Sequence, residues 1–299
     1  MKVAAGIVLF NPDIPRFEEC LSRILEQIDL VILFDNVGNQ KKYENMNDKI
    51  VYMTENQNKG IAYALNKIMY EAKSRGYDWV VTMDQDTILP SNYIAEISHY
   101  ENIPNVAIFS PQVIDKRRLY MSVEKEDNLK DIDYCITSAS FTNLKIWEEL
   151  GGFDEWLFID YVDNDYCKRA KLKNYKILQI PNIVIDQEFG NITPKSPKMV
   201  KFYLWLSKIT KNKNIAKLSY KKESNPFRVY YTHRNVVYLN KKFKRYGGIG
   251  YPNFHFKTFL GFLFYFTLPS FLRAKNKITI LKSIFKGLYE GIQSNPQIL

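Results

Sequence analysis

Two acidic clusters contain the residue types that could do chemistry. Asp84 and Asp86 stand one residue apart, directly after the apolar run 79–83, so both carboxylates can project from a strand end into one crevice. Their hard oxygens suit Mg²⁺ or Mn²⁺, which would neutralise the charge of a diphosphate leaving group. A carboxylate held near apolar side chains has a raised pKa and can serve as a general base. The second cluster places five acids among such neighbours within twelve residues: Asp154, Glu155, Asp160, Asp163 and Asp165.

Two further strings are polar and lie at predicted helix starts. In the string 56–66 a glycine opens a helix whose backbone amides could bind a phosphate. In the string 225–235, Arg228 and Arg234 could contact a phosphate group. Each of the four patterns also fits a purely structural role. The pair Asp84 and Asp86 could cap a strand end, and the second acidic cluster could stabilise a helix N-terminus. The string 56–66 could be an ordinary helix start, and the string 225–235 a solvated basic helix. The residues alone leave these alternatives open.

The apolar runs that must position these residues alternate between strand and helix. This order predicts an α/β domain with a mostly parallel sheet and helices on both faces. Ligands of such sheets bind at the carboxyl ends of the strands, where Asn11, Asp35 and Asp84 stand. No GxGxxG or GxxxxGK[ST] string occurs, which argues against the usual dinucleotide fingerprint and the P-loop. Strands are predicted at 3–10, 30–34, 50–53, 79–83 and 106–109, and helices at 14–28 and 61–72.

The net charge of +10 is unevenly distributed along the 299 residues. Residues 191–299 contain 21 Lys and Arg against two acids, whereas residues 1–190 contain 21 against 30. The acidic part favours metal or acid–base chemistry. The basic, aromatic part favours an anionic partner such as a lipid surface, a nucleic acid or a phosphorylated ligand. The alternative is a soluble protein that is simply rich in lysine.

Composition argues against several classes of protein. Three scattered cysteines and three isolated histidines argue against a disulfide scaffold, a zinc module and a multi-histidine metal site, and they fit a reducing cytoplasm. The N-terminal apolar run is short and breaks at Asn11-Pro12, unlike a signal peptide. The longest apolar stretch, 258–272, has 15 residues and is interrupted by Pro269, so it is short for a membrane span.

Together and in their order, these strings resemble the inverting family 2 glycosyltransferases, and among them the bacterial rhamnosyltransferases. The resemblance implies the GT-A fold, with a mostly parallel central sheet flanked by helices in a catalytic domain at 1–215. A basic, aromatic helical region at 216–299 would then contact a membrane or another subunit. The matching strings are VLFNP (8–12), DN (35–36), NKGIAYALN (58–66), MDQDT (83–87), GGFDEWLFIDYVDNDYCKR (151–169) and YYTHRN (230–235).

The resemblance implies transfer from a nucleotide-diphosphate sugar, with dTDP-rhamnose as the favoured donor. Asp163 would be the general base that deprotonates the acceptor hydroxyl, and Asp160 is the second choice. Asp86 would bind Mg²⁺ or Mn²⁺ at the diphosphate, and Asp84 would contact the ribose or the metal. The other implied contacts are with the donor, at Phe10, Asn11, Asp35, Asn36, Asn58, Lys59, Gly60 and Gln85, and with the acceptor, at Ser138, Asp154, Trp156 and Arg234.

Two positions depart from the family pattern. Gln187 stands three residues before Gly190, where the family often has a histidine that ligates the metal, so the third protein ligand stays open. The family's small Ser-Gly acceptor loop is replaced here by the sequence TSAS at 137–140, which leaves the acceptor geometry open.

The implied acceptor is a saccharide or a polyprenyl-diphosphate-linked glycan. The protein is therefore expected in the cytoplasm, peripherally associated with the inner face of the plasma membrane through its basic aromatic region. For that region, packing on the catalytic domain or in a homo-oligomer is the alternative. For the donor, a UDP-hexose or UDP-galactofuranose is the alternative. A nucleic-acid-binding protein or a non-catalytic scaffold would leave the acidic clusters unexplained, so no nucleic-acid partner is expected.

Overall fold

The computed structural model of this chain describes residues 2–123, 128–187, 190, 192–249 and 258–298. The chain forms two compact units. The first comprises Met1–Ile114 and Val123–Gln187, and the second comprises Asp115–Ser122 and Glu188–Leu299. The domain boundary expected between residues 215 and 216 stays a prediction.

An eight-stranded sheet forms the centre of the first unit. Its strands lie in the order β3-β2-β1-β4-β7-β5-β8-β6. Neighbours among β1 to β4 pair in parallel, as do β5 and β8, whereas β7 and β6 run antiparallel to their neighbours. The strands are β1 Val3–Leu9, β2 Val31–Asp35, β3 Ile50–Thr54, β4 Trp79–Asp84, β5 Val106–Ile114, β6 Lys130–Asp131, β7 Ser140–Asn143 and β8 Lys176–Asp186.

Helices cover both faces of this sheet. Along β1, alternate residues point to opposite faces. Ala5 and Ile7 join the core cluster beneath the first helix. Gly6 faces the second helix so closely that an added Cβ would lie 2.2 Å from Cγ2 of Ile68. The helices of this unit are α1 Ile14–Leu25, α2 Ile61–Ser74, α3 Tyr93–Ser98, α4 Leu144–Glu149 and α5 Val162–Leu172.

The expected α/β architecture is confirmed. Each strand and each of the two helices predicted for the first 110 residues is present, with ends that differ by a few residues. The largest difference is β5, which continues five residues past the expected end at Phe109, because it pairs with the long strand β8 across two register shifts.

The second unit is mainly helical. Among the described residues of this unit, a short antiparallel pair of strands, β9 and β10, accompanies six α-helices. No helix in the described ranges is long and apolar enough to cross a membrane. The elements are β9 Ile192–Pro194, α6 Pro197–Thr210, α7 Lys213–Ala216, β10 Tyr220–Lys222, α8 Pro226–Lys242, α9 Phe259–Phe262, α10 Leu268–Arg273 and α11 Lys277–Gln293.

A buried histidine helps to hold the second unit together. His233 of α8 is fully buried, and its ring nitrogens lie 2.7 Å from the Val229 carbonyl oxygen and 2.8 Å from the Thr267 hydroxyl. Thr267 ends the π-helical turn that joins α9 to α10. Burial lowers the pKa of His233 to about 4, so the ring is neutral at physiological pH and acts here as a structural bridge.

Candidate active site

Polar side chains from neighbouring strands meet at one edge of the parallel sheet. The register pairs Leu9 of β1 with Asp35 of β2, and Val8 of β1 with Asp84 of β4. The residues that follow these strands therefore start side by side. This is the edge at which α/β sheets bind ligands, and it is where the sequence places Asn11, Asp35 and Asp84.

Asp35 organises the loop that follows β2. Its carboxylate is fully buried and accepts hydrogen bonds from the backbone N–H groups of Val37 (2.9 Å) and Gln40 (2.8 Å) and from the Tyr52 hydroxyl (2.8 Å). Burial, and then the hydrogen bond to Asp35, raises the pKa of the Tyr52 hydroxyl, which keeps it a donor. The next side chain, Asn36, is buried, and its Oδ1 has no hydrogen-bond partner among the described residues.

Gln85 joins the loop after β1 to the loop after β4. Its Oε1 accepts from the backbone N–H of Phe10 at 2.8 Å, and its Nε2 donates to the Phe10 carbonyl at 3.3 Å. The Phe10 ring is left half exposed. Beside it, the Asn11 side chain accepts from Asn39 at 3.1 Å. Gln85 thus connects two loops through backbone groups, and a half-exposed aromatic ring stands at their junction.

The Asp84 carboxylate has a partner that the sequence did not reveal. Nε2 of Gln187 donates to Asp84 Oδ2 at 2.5 Å. The other amide atom, Oε1 of Gln187, is buried without a partner in the described part of the chain. Asp86 is exposed, and its carbonyl accepts from Arg16 Nε at 3.0 Å. Both loop carboxylates and a buried amide oxygen therefore belong to this edge of the sheet.

These three side chains offer oxygens that a divalent metal could use. Within the described ranges, no group of three or more His, Cys, Asp or Glu side chains could hold a metal ion. Asp84, Asp86 and Gln187 supply two carboxylates and one amide oxygen, which is the hard donor set that Mg²⁺ and Mn²⁺ prefer. The orphaned Gln187 oxygen is the observation that makes the residues present fit such an ion.

Ser138 supports the Asp84 loop from inside the protein. Its hydroxyl is buried, lies 2.6 Å from the hydroxyl of Thr87, and accepts from the Asp84 backbone N–H at 3.3 Å. A contact between Ser138 and an acceptor was expected from the sequence and stays a prediction. In the structure, the Ser138 hydroxyl forms its hydrogen bond with the loop that carries Asp84 and Asp86.

The N-terminus of α2 packs against the segment that precedes α5. Gly60 has a φ of +92°, and an added Cβ would lie 2.5 Å from the carbonyl oxygen of Phe158. That carbonyl accepts from the Ile61 backbone N–H at 2.8 Å. Asn58 accepts from the Gly60 N–H at 3.0 Å, and Lys59 pairs with Glu55. Residues 58–60 were predicted to contact the donor. In the structure all three make contacts within the protein at the start of α2.

Asn66 of α2 fixes the string that begins at Gly151. Its amide N–H groups donate to the Phe153 carbonyl (2.9 Å) and the Glu155 carboxylate (2.8 Å), and its Oδ1 accepts from the Phe153 N–H (2.8 Å). Asp154 closes a local turn by accepting from the Trp156 N–H at 3.1 Å, and the Trp156 side chain is half-buried. Asp154 and Trp156, two of the four residues predicted to contact the acceptor, lie in this anchored segment.

The chain enters α5 through two strained residues. Asp160 and Tyr161 each have a φ of +66°, the left-handed region that residues with a Cβ rarely adopt. Such strain persists only where the surroundings impose it, and it often marks a functional site. Val162 then begins α5, and Asp163 stands in the first helical turn.

Asp163 has the properties of a general base. Its side chain is half-buried, and Oδ1 accepts from the Asn164 backbone N–H at 2.9 Å. Burial raises the pKa of Asp163 to about 6; the Asn164 N–H opposes this rise, and the negative charges of Asp160 and Asp84 add to it. A carboxyl with this pKa is ionised at neutral pH and still binds a proton strongly enough to take one from a hydroxyl.

A buried ion pair holds α5 to the preceding turn. Asp165 and Arg169 form an (i, i+4) pair, with Arg169 Nη2 2.7 Å from Asp165 Oδ2 and both side chains nearly or fully buried. The guanidinium also donates to the carbonyl oxygens of Leu150 (2.6 Å) and Gly152 (2.7 Å). Arg169 therefore ties the helix that carries Asp163 to the string anchored by Asn66.

Comparison with known families identifies the chain. The model of glycosyl transferase family 2 matches residues 5–154, which make up half of this chain. This chain is a family 2 glycosyltransferase. The family expected from the sequence strings is thereby confirmed, while Asp160 and Asp163 lie beyond the matched segment, so their roles depend on the geometry described above.

Relatives and solved structures agree with this assignment. The dTDP-rhamnosyl transferase RfbF of Shigella flexneri is 27% identical over 212 residues, which cover 64% of this glycosyltransferase and 71% of RfbF. S. aureus TarS 1-349 in complex with UDP-GlcNAc superposes with a TM-score of 0.60 at 14% identity, covering 98% of this chain and 81% of that one. The mannosyltransferase PcManGT from Pyrobaculum calidifontis, in complex with GDP-Man and Mn²⁺, has a TM-score of 0.53 at 15% identity, covering 99% and 76%. The predicted GT-A fold is confirmed.

The structure of this glycosyltransferase assembles most of the predicted site residues in its first unit. Arg234 lies in the second unit, on α8, where its guanidinium stacks 4.6 Å from the ring centroid of Tyr231. Sequence reasoning missed the roles of Tyr52, Asn66 and Gln187. Asn66 had a signal, since it is a polar residue on the otherwise apolar buried face of α2. Gln187 had one in its place three residues before Gly190, where the family often has a metal-ligating histidine, but its contact with Asp84 was not predicted. Tyr52 had none.

Proposed function

We propose that this glycosyltransferase moves rhamnose from dTDP-rhamnose to a saccharide or polyprenyl-diphosphate-linked acceptor with inversion of configuration. The single observation that carries the chemistry is Asp163, a carboxyl with a pKa raised to about 6 at the strained entrance to α5. The choice of donor is supported by the likeness to RfbF, which is named as a dTDP-rhamnosyl transferase.

Asp163 acts as the base in a single displacement. Its carboxylate takes the proton of the acceptor hydroxyl, and the oxygen forms a bond to the anomeric carbon of the donor. The bond from that carbon to the diphosphate oxygen breaks on the opposite side, and the nucleoside diphosphate leaves with the bonding electrons. Because attack and departure are in line, the anomeric configuration inverts.

The loops after β1 and β2 hold the nucleoside. The half-exposed ring of Phe10 offers a face on which a base can stack. The unpartnered Oδ1 of Asn36 can accept the N–H of a thymine ring. Asp35 acts by fixing the loop on which Asn36 stands, since its carboxylate is already engaged by three donors.

Asp84, Asp86 and Gln187 are the residues that would hold Mg²⁺ or Mn²⁺. A bound divalent cation neutralises the charge that builds on the leaving diphosphate. Gln187 also keeps the Asp84 carboxylate oriented through its amide N–H. The fold likeness to PcManGT, a structure that contains Mn²⁺ and GDP-Man, is consistent with this assignment.

The acceptor side of the site is formed by the anchored segment before α5. Trp156 and Asp154 stand there, and the proposal keeps Ser138 and Arg234 as further acceptor contacts. A lipid-linked acceptor would bring the protein to the inner face of the plasma membrane, in line with the excess of basic residues in 191–299.

Transfer is expected to depend on the ionisation of Asp163. With the pKa of this carboxyl at about 6, the rate should rise about tenfold per pH unit below pH 6 and level off above it, because only the carboxylate can accept a proton. The measurement is the rate of transfer at saturating donor between mildly acidic and mildly alkaline pH. A rate that falls as pH rises through 6 would contradict a basic role for Asp163.

Asp160→Asn separates the two candidate bases in the same pH experiment. If Asp163 is the base, removing the neighbouring charge lowers the pKa of Asp163, so the rising limb moves to lower pH and the plateau persists. If Asp160 is the base, the same variant loses transfer at every pH.

Donor identity and the metal are tested by one binding experiment. Thermal unfolding is followed with Mg²⁺ or Mn²⁺ and either dTDP-rhamnose or a panel of UDP- and GDP-sugars, because a ligand that binds only the native state raises Tm. We expect the largest shift with dTDP-rhamnose plus metal. The shift should vanish in Asp86→Ala and persist in Asp48→Ala, a control at an exposed aspartate outside the site.

A shift with UDP-sugars alone would keep the fold and the base but replace the donor by a UDP-hexose or UDP-galactofuranose. An equal shift with dTDP-rhamnose in the presence of EDTA would remove the metal from the proposal. Absence of any shift, together with absence of transfer, would favour a non-catalytic scaffold.

A further inference from the structure

Helix α11 has two apolar faces, and one of them is occupied inside the protein. Ile280, Ile284, Gly287 and Gly291 are buried on the inner face. The two glycines let α11 approach the backbone of α8: an added Cβ on Gly287 would lie 2.4 Å from the Tyr230 carbonyl oxygen, and one on Gly291 would lie 2.7 Å from that of Arg234.

The second apolar face is exposed. Its side chains lie within an arc of roughly 80° at 100° per residue, so they form one continuous stripe along the helix. Two of the most exposed members, Ile278 and Phe285, are each 67% accessible, and no described residue covers them. We call this set the outer stripe; it comprises Ile278, Leu281, Phe285, Tyr289 and Ile292.

Positive charge borders the outer stripe. Lys282 and Lys286 stand beside it on α11, and both are exposed. The only acid of the helix, Glu290, hydrogen-bonds to the Tyr230 hydroxyl on the side that faces α8. Lys277 donates to the carbonyl oxygens of Phe271 (2.8 Å) and Leu272 (2.7 Å), which ties α11 to the end of α10. The stripe is therefore held on a supported helix and bordered by Lys282 and Lys286, of which Lys286 also lies 3.9 Å from Glu290.

Helix α6 repeats this composition seventy residues earlier. None of its residues is buried, and it contains no acid. Phe202, Trp205 and Ile209 are each more than half exposed, and Lys201 and Lys208 are exposed as well. Two helices far apart in sequence thus combine exposed aromatic and aliphatic side chains with lysines.

We propose that the outer stripe of α11 is a membrane-binding surface for a bilayer that contains anionic lipids. Apolar side chains would enter the headgroup region while the flanking lysines contact lipid phosphates, as in helices that lie in the plane of a membrane. Charge decides between this occupant and a second copy of the chain. Residues 191–299 carry a net charge of +19, which an anionic bilayer neutralises and a second copy would repel.

The test is co-sedimentation of the full chain with vesicles. One set contains phosphatidylcholine alone, and the other contains phosphatidylcholine mixed with phosphatidylglycerol. We expect strong binding to the mixed vesicles that weakens with salt. The variant Ile278→Gln with Phe285→Gln and Ile292→Gln should lower the partition coefficient by about tenfold or more, because three apolar contacts with the bilayer are lost.

A matched control separates the stripe from general surface hydrophobicity. The variant Met46→Gln with Leu119→Gln and Val123→Gln also replaces three exposed apolar side chains, and it should bind vesicles like the wild type. Phe285→Trp gives a second measurement, since brominated lipids should quench the fluorescence that the new indole adds. That readout remains usable if the triple glutamine variant fails to fold.

Each outcome decides the proposal. Wild-type binding by the folded stripe variant, or unquenched indole fluorescence in the Phe285→Trp variant, would overturn it. A stripe variant that keeps its vesicle binding but loses a dimer, seen by light scattering, would assign the stripe to a second copy. The membrane-binding proposal depends on the proposed function in one respect, the lipid-linked acceptor that would bring the enzyme to a membrane. Since vesicle binding is measured without donor or acceptor, and transfer to a soluble saccharide should be unchanged in the stripe variant, the two proposals can fail separately.

Discussion

Asp163→Asn is expected to lower kcat for glycosyl transfer by about 10²–10⁴-fold, the usual contribution of a general base. The amide is isosteric, and its oxygen can still accept the backbone N–H of Asn164. Donor binding should therefore persist while the proton can no longer be removed from the acceptor. The measurements are single-turnover transfer and, separately, the thermal shift produced by the donor.

The same variant should be more stable than the wild type at neutral pH. The pKa of Asp163 is about 6 in the folded protein and near 3.8 when the residue is solvated, so the native state binds this proton more tightly. Its stabilising contribution is complete below pH 3.8 and is lost as pH rises to about 6. Removing the ionisable group should then raise the free energy of unfolding at pH 8 by up to about 3 kcal/mol.

Loss of activity with a gain of stability distinguishes a base from a structural aspartate. Asp29→Asn is the control, because that side chain is 92% exposed and forms only a surface pair with Lys49. It should change neither quantity measurably. If Asp163→Asn kept transfer within about tenfold of the wild type, the base would have to be sought elsewhere, first at Asp160.

Arg169→Met is expected to destabilise the protein by about 3–5 kcal/mol, because it removes the cation that pairs with the buried carboxylate of Asp165. The carbonyl oxygens of Leu150 and Gly152 lose their donors as well. The turn before α5 should loosen, so transfer should fall even at temperatures where the variant is folded. Denaturant unfolding measures the first effect and kcat the second.

Two further variants make this result specific. Lys171→Met breaks another ion pair of α5, with Asp131, whose side chain is half exposed, and it should cost at most about 1 kcal/mol. Asp165→Leu combined with Arg169→Met removes both buried charges and should recover part of the lost stability. A double variant no more stable than Arg169→Met alone would assign the loss to the carbonyl contacts.

Local pattern was sufficient to predict the five strands and the two longer helices of the first 114 residues, but not α3, α4 or β8. Uninterrupted apolar runs of strand length, alternating with residues at helical spacing, predicted the strands β1 to β5 and the helices α1 and α2, because a buried parallel sheet needs such runs and its crossovers need such helices. The ends of the strands also predicted where polar side chains would gather. The short strands β6 and β7 were not predicted, since two to four residues are too few to show a period.

The partners of the site residues depended on tertiary structure. Gln187 meets Asp84 across 103 positions and Asn66 meets Phe153 across 87, and no local spacing encodes such contacts. The pKa of Asp163 is likewise set by burial and by charges brought close in space. In the second unit, only packing showed that the glycines of α11 face α8 and that one apolar face of this helix is left exposed.

The sequence by itself therefore determined the family, the α/β sheet and the aspartates at its ligand-binding edge, because these depend on residue type and on spacing along the chain. Tertiary structure alone decided which aspartate has its pKa raised by burial, which amide donates to Asp84 and which face of α11 meets solvent. Those properties arise from burial and from contacts between distant residues, which exist only once the chain has folded.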